Sequence, residues 1–190
     1  HNGRRRQRQM CIRDRSGVGK TTFLHLLSGL LKPLEGEIDL IGTPISKLTM
    51  SEMDRFRGKN IGIVFQKPHF INSLTVKENL QLAQYISKKI DKTRISSLLE
   101  SLGIEDKANK KTLNLSQGEK QRVAIALAIV NSPKLILADE PTSSLDDLNC
   151  DKVINLLKDQ AAKYKAKLII ITHDYSCLLY TSDAADDDHC

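Results

Sequence analysis

Two hydrophobic periods take turns along this chain of 190 residues. From Thr21 to Leu31 apolar residues recur at helical spacing, and Lys32-Pro33 ends the run because proline cannot continue a helix. "GEIDLIG" at 36–42 alternates like a strand between glycines. Residues 51–57 read as a short polar helix, and "NIGIVFQ" at 60–66 as a buried strand rich in β-branched residues. Thr75 and Glu78 spell a capping box that opens a helix to about Lys89. A second helix covers about 92–102 and ends at Gly103, and a third opens at Ser116. "KLILAD" at 134–139 and "KLIIIT" at 167–172 are short apolar runs of the kind that form central parallel strands. Between them a helix is predicted from about Leu145 to Tyr164, with Val153, Leu156, Leu157 and Tyr164 on one face. Strands and helices alternate at both ends of this pattern, with three helices in a block between. The fold class predicted is α/β, a parallel-sheet core with an inserted helical subdomain at about 75–130.

Composition narrows the class. Apolar residues make up 40% of the chain, enough for a sizeable core. There is no tryptophan and few other aromatics, which argues against a stacking platform for single-stranded nucleic acid. No apolar run approaches the roughly 18 residues of a bilayer-spanning helix, so a link to a membrane is expected through a partner. The four cysteines form no C-x-x-C pair, and no disulfide frame or zinc site is indicated.

The net charge of +6 is unevenly placed. Residues 1–15 hold six arginines against one aspartate, while 177–190 hold four aspartates and neither lysine nor arginine. The remaining positive charge is spread as helix-surface lysines, which favours a solvated surface over a nucleic-acid stripe. Both ends differ in pattern from the middle. "MCIRD" and "YTSDAAD" are similar to translated sequencing-adapter read-through. Residues 1–15 and 177–190 are therefore expected to be non-native or disordered flanks around a domain at 16–176.

Chemistry enters at "DRSGVGKTT", residues 14–22. This is most of a phosphate-binding loop, although Asp14 stands where the G-x-x-x-x-G-K-[ST] spelling has glycine. Ser16, Gly17 and Gly19 belong to the loop, whose N–H groups and following helix favour an anion. Lys20 can reach the β- and γ-phosphates, Thr21 offers a hydroxyl to Mg²⁺, and Thr22 one to the α-phosphate. The alternative for these residues alone is a glycine turn before a helix. "KLILADEP" adds an apolar strand ending in acid. That places Asp139 at the carboxyl edge of the sheet, where it can hold Mg²⁺, with Glu140 placed to polarise water. The bland alternative is two carboxylates on a solvated turn. Together the two motifs favour an NTPase.

"LNLSQGEKQRVAIALAIV" resembles the signature of the ATP-binding-cassette (ABC) ATPases, with Gln117 and Glu119 where the commoner L-S-G-G-Q spelling has glycine and glutamine. Taken by itself it is a capping box, Ser116 and Glu119, before an apolar helix. The resemblance implies that Ser116, Gln117, Gly118 and Glu119 close the ATP held by a second copy of the cassette. It also implies roles for Gln66 as the glutamine of the Q-loop, for Asp146 of "SSLD" at the dimer seam, and for His173 as the switch histidine near the γ-phosphate. Glu140, His173 and Gln66 are thus the expected catalytic residues, and Thr21, Gln66 and Asp139 the expected Mg²⁺ ligands.

Six ordered motifs between about 16 and 176 carry this resemblance. "GEIDLIGTPISKL", "RFRGKNIGIVFQ" and "LTVKENL" are most similar to the lipoprotein-release and macrolide-export type. The family also has strands, and an aromatic that stacks on adenine, before the loop, and further elements after the histidine, none of which is seen here. The implied function is the Mg²⁺-dependent ATPase subunit of a membrane transporter, a homodimer seated on a permease at the cytoplasmic face. Two alternatives stay open at this point: a relative acting on nucleic acid or ribosomes, and an inactive fragment.

Overall fold

The structure, a computed structural model, describes residues 9–12, 19–143 and 147–172. Four strands form one parallel sheet: β1 (Gln9–Ile12), β4 (Ile61–Val64), β5 (Leu135–Asp139) and β6 (Lys167–Ile171), in the order β1-β6-β5-β4. A hairpin of β2 (Asp39–Leu40) and β3 (Thr43–Pro44) stands apart from it. The helices are α1 (Lys20–Leu27), α2 (Met50–Asn60), α3 (Val76–Ile86), α4 (Lys92–Ser101), α5 (Gln117–Ile129) and α6 (Asp147–Lys163).

The central strands are buried on both faces, as their unbroken apolar runs require. Alternate residues of β5 divide between two cores. Leu135 and Leu137 pack with Leu24 of α1 and Met53 of α2. Ile136 and Ala138 pack with α3–α6 on the other face. Arg57 holds α2 against the end of α1, its Nε donating to the carbonyl of Ser28 at 2.8 Å and its Nη2 to that of Gly29 at 3.0 Å. The three-helix block has no separate core of its own. Val76, Leu80, Ile95 and Leu98 share one cluster with Ile136, Leu168 and Leu157.

Three elements differ from the sequence reading. α1 ends at Leu27, four residues before the expected Leu31, because Gly29 takes φ of 66° and turns the chain before the proline is reached. Gln9–Ile12 lies in a stretch without strand period, yet it pairs in parallel with Leu168–Ile171. Backbone pairing decides here: β6 needs a neighbour on the side away from β5, because an apolar strand left at an edge exposes a row of unpaired peptide groups. The alternating run at 36–42 is not one strand. Asp39 pairs with Pro44 and Leu40 with Thr43, so Ile41-Gly42 is a two-residue turn. Both turn residues have positive φ, 59° and 74°, as a type I′ turn demands. The Gly42 N–H donates to Asp39 Oδ1 at 3.0 Å. A β-branched residue in that region is disfavoured, which hides the turn from pattern reading.

Three helices start on the same device. Thr49–Glu52, Thr75–Glu78 and Ser116–Glu119 all form reciprocal capping boxes. The first extends α2 beyond the expected 51–57 at both ends.

The backbone of α5 approaches β4 closely at Gly62. A Cβ on Gly62 would overlap the carbonyl oxygen of Ala128 and come within 2.8 Å of its carbonyl carbon. Gly62→Val is expected to lower stability by about 3 kcal/mol, the upper end of the overpacking range. A urea midpoint equal to that of the parent would contradict this contact.

Candidate functional site

The carboxyl edge of the sheet gathers the first half of the site. Asp139 is the last residue of β5 and is buried. Glu140 follows in the left-handed region, with φ of 45°. Three bonds fix this turn. The Glu140 N–H donates to the carbonyl of Ile171 at 2.7 Å, and the Ser143 N–H to the carbonyl of Glu140 at 3.2 Å. Gln66, two residues past the end of β4, donates from Nε2 to Glu140 Oε2 at 3.3 Å. Two residues separated by 74 positions in the chain are thereby brought into contact.

Lys20 opens α1 and is 8% exposed, while Thr21 and Thr22 are exposed. Gly19 caps this helix with φ of 77° and offers no side-chain acceptor to its first N–H groups. Leu24, one turn on, packs with Leu135, Leu137 and Ile171 and so anchors α1 under β5 and β6. A helix start with an exposed hydroxyl pair and a cation suits a phosphate chain.

The donor set here is hard oxygen. Among the described residues no group of three or more His, Cys, Asp or Glu could hold a metal alone. Mg²⁺ does not need one, since it keeps waters and phosphate oxygens and takes one or two protein ligands. Because Gln66 uses its amide nitrogen on Glu140, its oxygen remains for a cation. With the Asp139 carboxylate and the Thr21 hydroxyl, the residues fit Mg²⁺.

The second half lies at the start of α5. Ser116 Oγ accepts the Glu119 N–H at 3.3 Å, and Glu119 Oε2 accepts the Ser116 N–H at 2.8 Å. Glu119 Oε1 also pairs with Lys107 at 3.2 Å, and Lys107 with Asp106 at 2.7 Å. Ser116 and Gln117 are exposed, and a Cβ on Gly118 would meet open space. The bonds of Ser116 and Glu119 tie this turn to itself and to Lys107. Ser16, Gly17, Asp146 and His173 lie outside the described residues.

One residue went unnoticed in the sequence. Gln121, 1% exposed, donates from Nε2 to the carbonyl of Pro141 at 2.8 Å. It ties the helix that starts at Ser116 to the turn that carries Glu140. The available signal was a neutral polar residue at the head of an otherwise apolar helix run, which must find a partner when buried. Behind Gln66 a hollow of about 510 Å³ opens between α2, β4, α3 and α5, lined by Phe65, Pro68, His69, Phe70, Ile86 and Leu127 among others.

The chain is similar in sequence and fold to known proteins. The profile of the family described as "ABC transporter" matches residues 5–143. A lipoprotein-releasing system ATP-binding protein, LolD of Buchnera aphidicola subsp. Acyrthosiphon pisum (strain APS), is 40% identical over 166 residues, covering 86% of this chain and 73% of that protein. Among solved structures, the dimeric bacterial ABC transporter cassette MJ0796 superposes with a TM-score of 0.77 at 34% identity, over 89% of this chain and 75% of that one. Its post-hydrolysis dimer bound to ADP and Pi gives 0.76, also at 34% identity and with the same coverage. CbiO1 from Clostridium perfringens, part of the ABC transporter complex cbiONQ, gives 0.79 at 32% identity, over 89% of this chain and 68% of that one.

Two outcomes follow from the geometry. Gln121→Met keeps the shape but leaves the buried Pro141 carbonyl without its donor, and should lower stability by about 1–3 kcal/mol in urea unfolding. Glu119 is held below the ordinary glutamate range, first by the Ser116 N–H; burial opposes this, and Lys107 and the Ser116 side chain lower it further. Its contribution to stability is therefore present above the ordinary glutamate value and lost as pH falls through the lowered folded value. The stability gap between the parent and Glu119→Gln should close over that acid range, and a gap independent of pH would contradict the cap.

Proposed function

The chain belongs to the ABC transporter ATPases, and on that premise we propose that it binds and hydrolyses ATP at the sheet edge to drive a permease of the lipoprotein-releasing or exporting kind. The observation that carries this reading is the Gln66–Glu140 contact beside the buried Asp139, at the edge under which α1 is anchored. The relatives named above are ATP-binding components of transporters, which supports the same direction.

In this reading Ser16, Gly17, Gly19 and the first turn of α1 hold the phosphates. Lys20 neutralises the β- and γ-phosphates, and Thr22 contacts the α-phosphate. Thr21, Gln66 and Asp139 are the residues that would hold Mg²⁺, which when bound screens the charge on the phosphate oxygens. Glu140 accepts a hydrogen bond from the attacking water and takes its proton as the new P–O bond forms. The bond from the γ-phosphorus to the bridging oxygen breaks, and ADP leaves with that electron pair. His173 contacts the γ-phosphate. The left-handed turn at Glu140 holds the carboxylate in place, and Gln66 restrains it from the other side.

Ser116, Gln117, Gly118 and Glu119 serve the ATP of a second copy. An isologous pair supplies each site with the other chain's signature turn, with Asp146 at the seam. The hollow behind Gln66 receives a short segment of the permease, so that docking and the Mg²⁺ ligand share one loop. Among the described residues no helix is long and apolar enough to cross a membrane. In this reading, which the transporter components among the relatives support, the membrane-crossing part is the permease's and the ATPase sits on its cytoplasmic side.

Glu140→Gln should remove turnover while ATP still binds, giving a species of twice the mass in size-exclusion chromatography with Mg²⁺-ATP and a single chain without it. Lys20→Ala should lose ATP binding. A Glu140→Gln protein that binds ATP and stays a single chain would overturn the paired arrangement, and a Lys20→Ala protein with parental affinity would overturn the phosphate assignment.

A further inference from the structure

One of the three capping boxes is built differently from the other two. The N–H groups of Thr49, Thr75 and Ser116 donate to the carboxylates of Glu52, Glu78 and Glu119 at 2.9, 2.7 and 2.8 Å. Among the described residues no cation pairs with Glu52 or Glu78, on which Arg55 and Lys111 act only from longer range. A cap of this kind therefore forms without a lysine. Glu119 nevertheless has one. Lys107 Nζ lies 3.2 Å from its Oε1, while the Ser116 N–H occupies Oε2.

The backbone places Lys107 for this contact. It ends a 3₁₀ turn at Glu105–Lys107 that follows the fully buried Ile104. The residues after it are bonded to the start of α3. The Lys77 N–H donates to the carbonyl of Ala108 at 2.9 Å, and the Val76 N–H to that of Lys110 at 3.0 Å. The side chains of Lys107 and Glu119 are only 21% and 23% exposed, so solvent and salt screen their pair incompletely. Asp106 shares the ammonium at 2.7 Å, and with Glu119 it raises the Lys107 pKa, so the lysine stays charged.

The turn that Glu119 caps is the one read above as closing the ATP of a second copy, and the inference rests on that reading. A carboxylate in a first helical turn suits the helix dipole, but it repels an arriving phosphate of the same sign. Two acids, Asp106 and Glu119, meet here on a single lysine. Removing that lysine would leave both charges uncompensated beside the anion. We propose that Lys107 is a positioning residue for the signature turn, holding and neutralising the Glu119 carboxylate so that the turn accepts the γ-phosphate of the partner copy's ATP.

ATP-driven pairing of the full chain carrying Glu140→Gln, followed by size-exclusion chromatography over a range of Mg²⁺-ATP concentrations, tests this. Lys107→Met in that chain should raise the ATP needed for half-maximal pairing about three- to fivefold, the upper range for one partly exposed charge pair. Lys107→Arg keeps the charge and should pair as its parent does. Where Glu119→Gln has already removed the carboxylate, adding Lys107→Met should cause no further rise. Melting temperatures taken without nucleotide separate folding from function. A Lys107→Met chain that melts lower but needs no more ATP would overturn the proposal in favour of a brace for the cap alone. An equal rise with and without Glu119→Gln would overturn it in favour of a direct contact between Lys107 and the phosphate or the partner. Failure of the Glu140→Gln chain itself to pair would be a different result, removing the paired reading and this inference with it.

Discussion

A single residue in the left-handed region, Glu140, sets the geometry around it. That conformation costs a non-glycine residue about 1–2 kcal/mol, and it persists only where surrounding bonds over-determine it. Here the bonds come from separate parts of the chain. The backbone of β6 accepts the Glu140 N–H, the Gln66 amide holds the carboxylate, and Gln121 of α5 holds the next carbonyl. At roughly 1 kcal/mol each these contacts offset the strain with a small surplus. Shifting β6, the segment after β4 or α5 therefore shifts the turn, so Glu140 is coupled mechanically to all three.

That coupling depends on α5 lying close to the sheet. Gly62 removes the side chain that would hold the helix off β4, and Val123, Ile125, Ala126 and Ile129 are buried around it. Close-packed interiors shift between discrete arrangements instead of bending smoothly. Since α3 and α4 share their core with α5 and the sheet, the helical block has no independent hinge inside that cluster. Motion of the signature turn must either move the core with it or take place at the exposed first turn of α5.

How far the sequence exposes all this depends on which interaction decides each element. Capping boxes and apolar runs are local, so α3, α4, α5, β4, β5 and β6 lie within a few residues of where the pattern puts them. The strand at Gln9–Ile12 follows from a neighbour more than 150 positions away, and no local period announces it. The I′ turn at Ile41-Gly42 is masked by an isoleucine that the turn tolerates against its preference. Lys20, Gln66, Asp139 and Glu140 stand where their motifs imply, because a helix start and strand ends fix them to the carboxyl edge. Gln121 escapes because its partner is a backbone carbonyl, which carries no residue identity to match.

The same dipole argument applies at both ends of α5. Its N-terminus, at Ser116 and Gly118, presents donors that favour an anion, and its C-terminus draws Lys89 and Arg94 onto the carbonyls of Asn131, Val130 and Ile129. Thirteen residues of helix separate the two ends, about 20 Å. One end is an exposed turn, and the other carries backbone carbonyls on which two cations settle. Along its length Gln121 reaches the catalytic turn and Ala128 abuts Gly62. A displacement of the C-terminal end of α5 is therefore carried along a short, largely buried helix that is bonded to the turn after Asp139. Packing alone joins the two ends, without any need for a flexible relay between them.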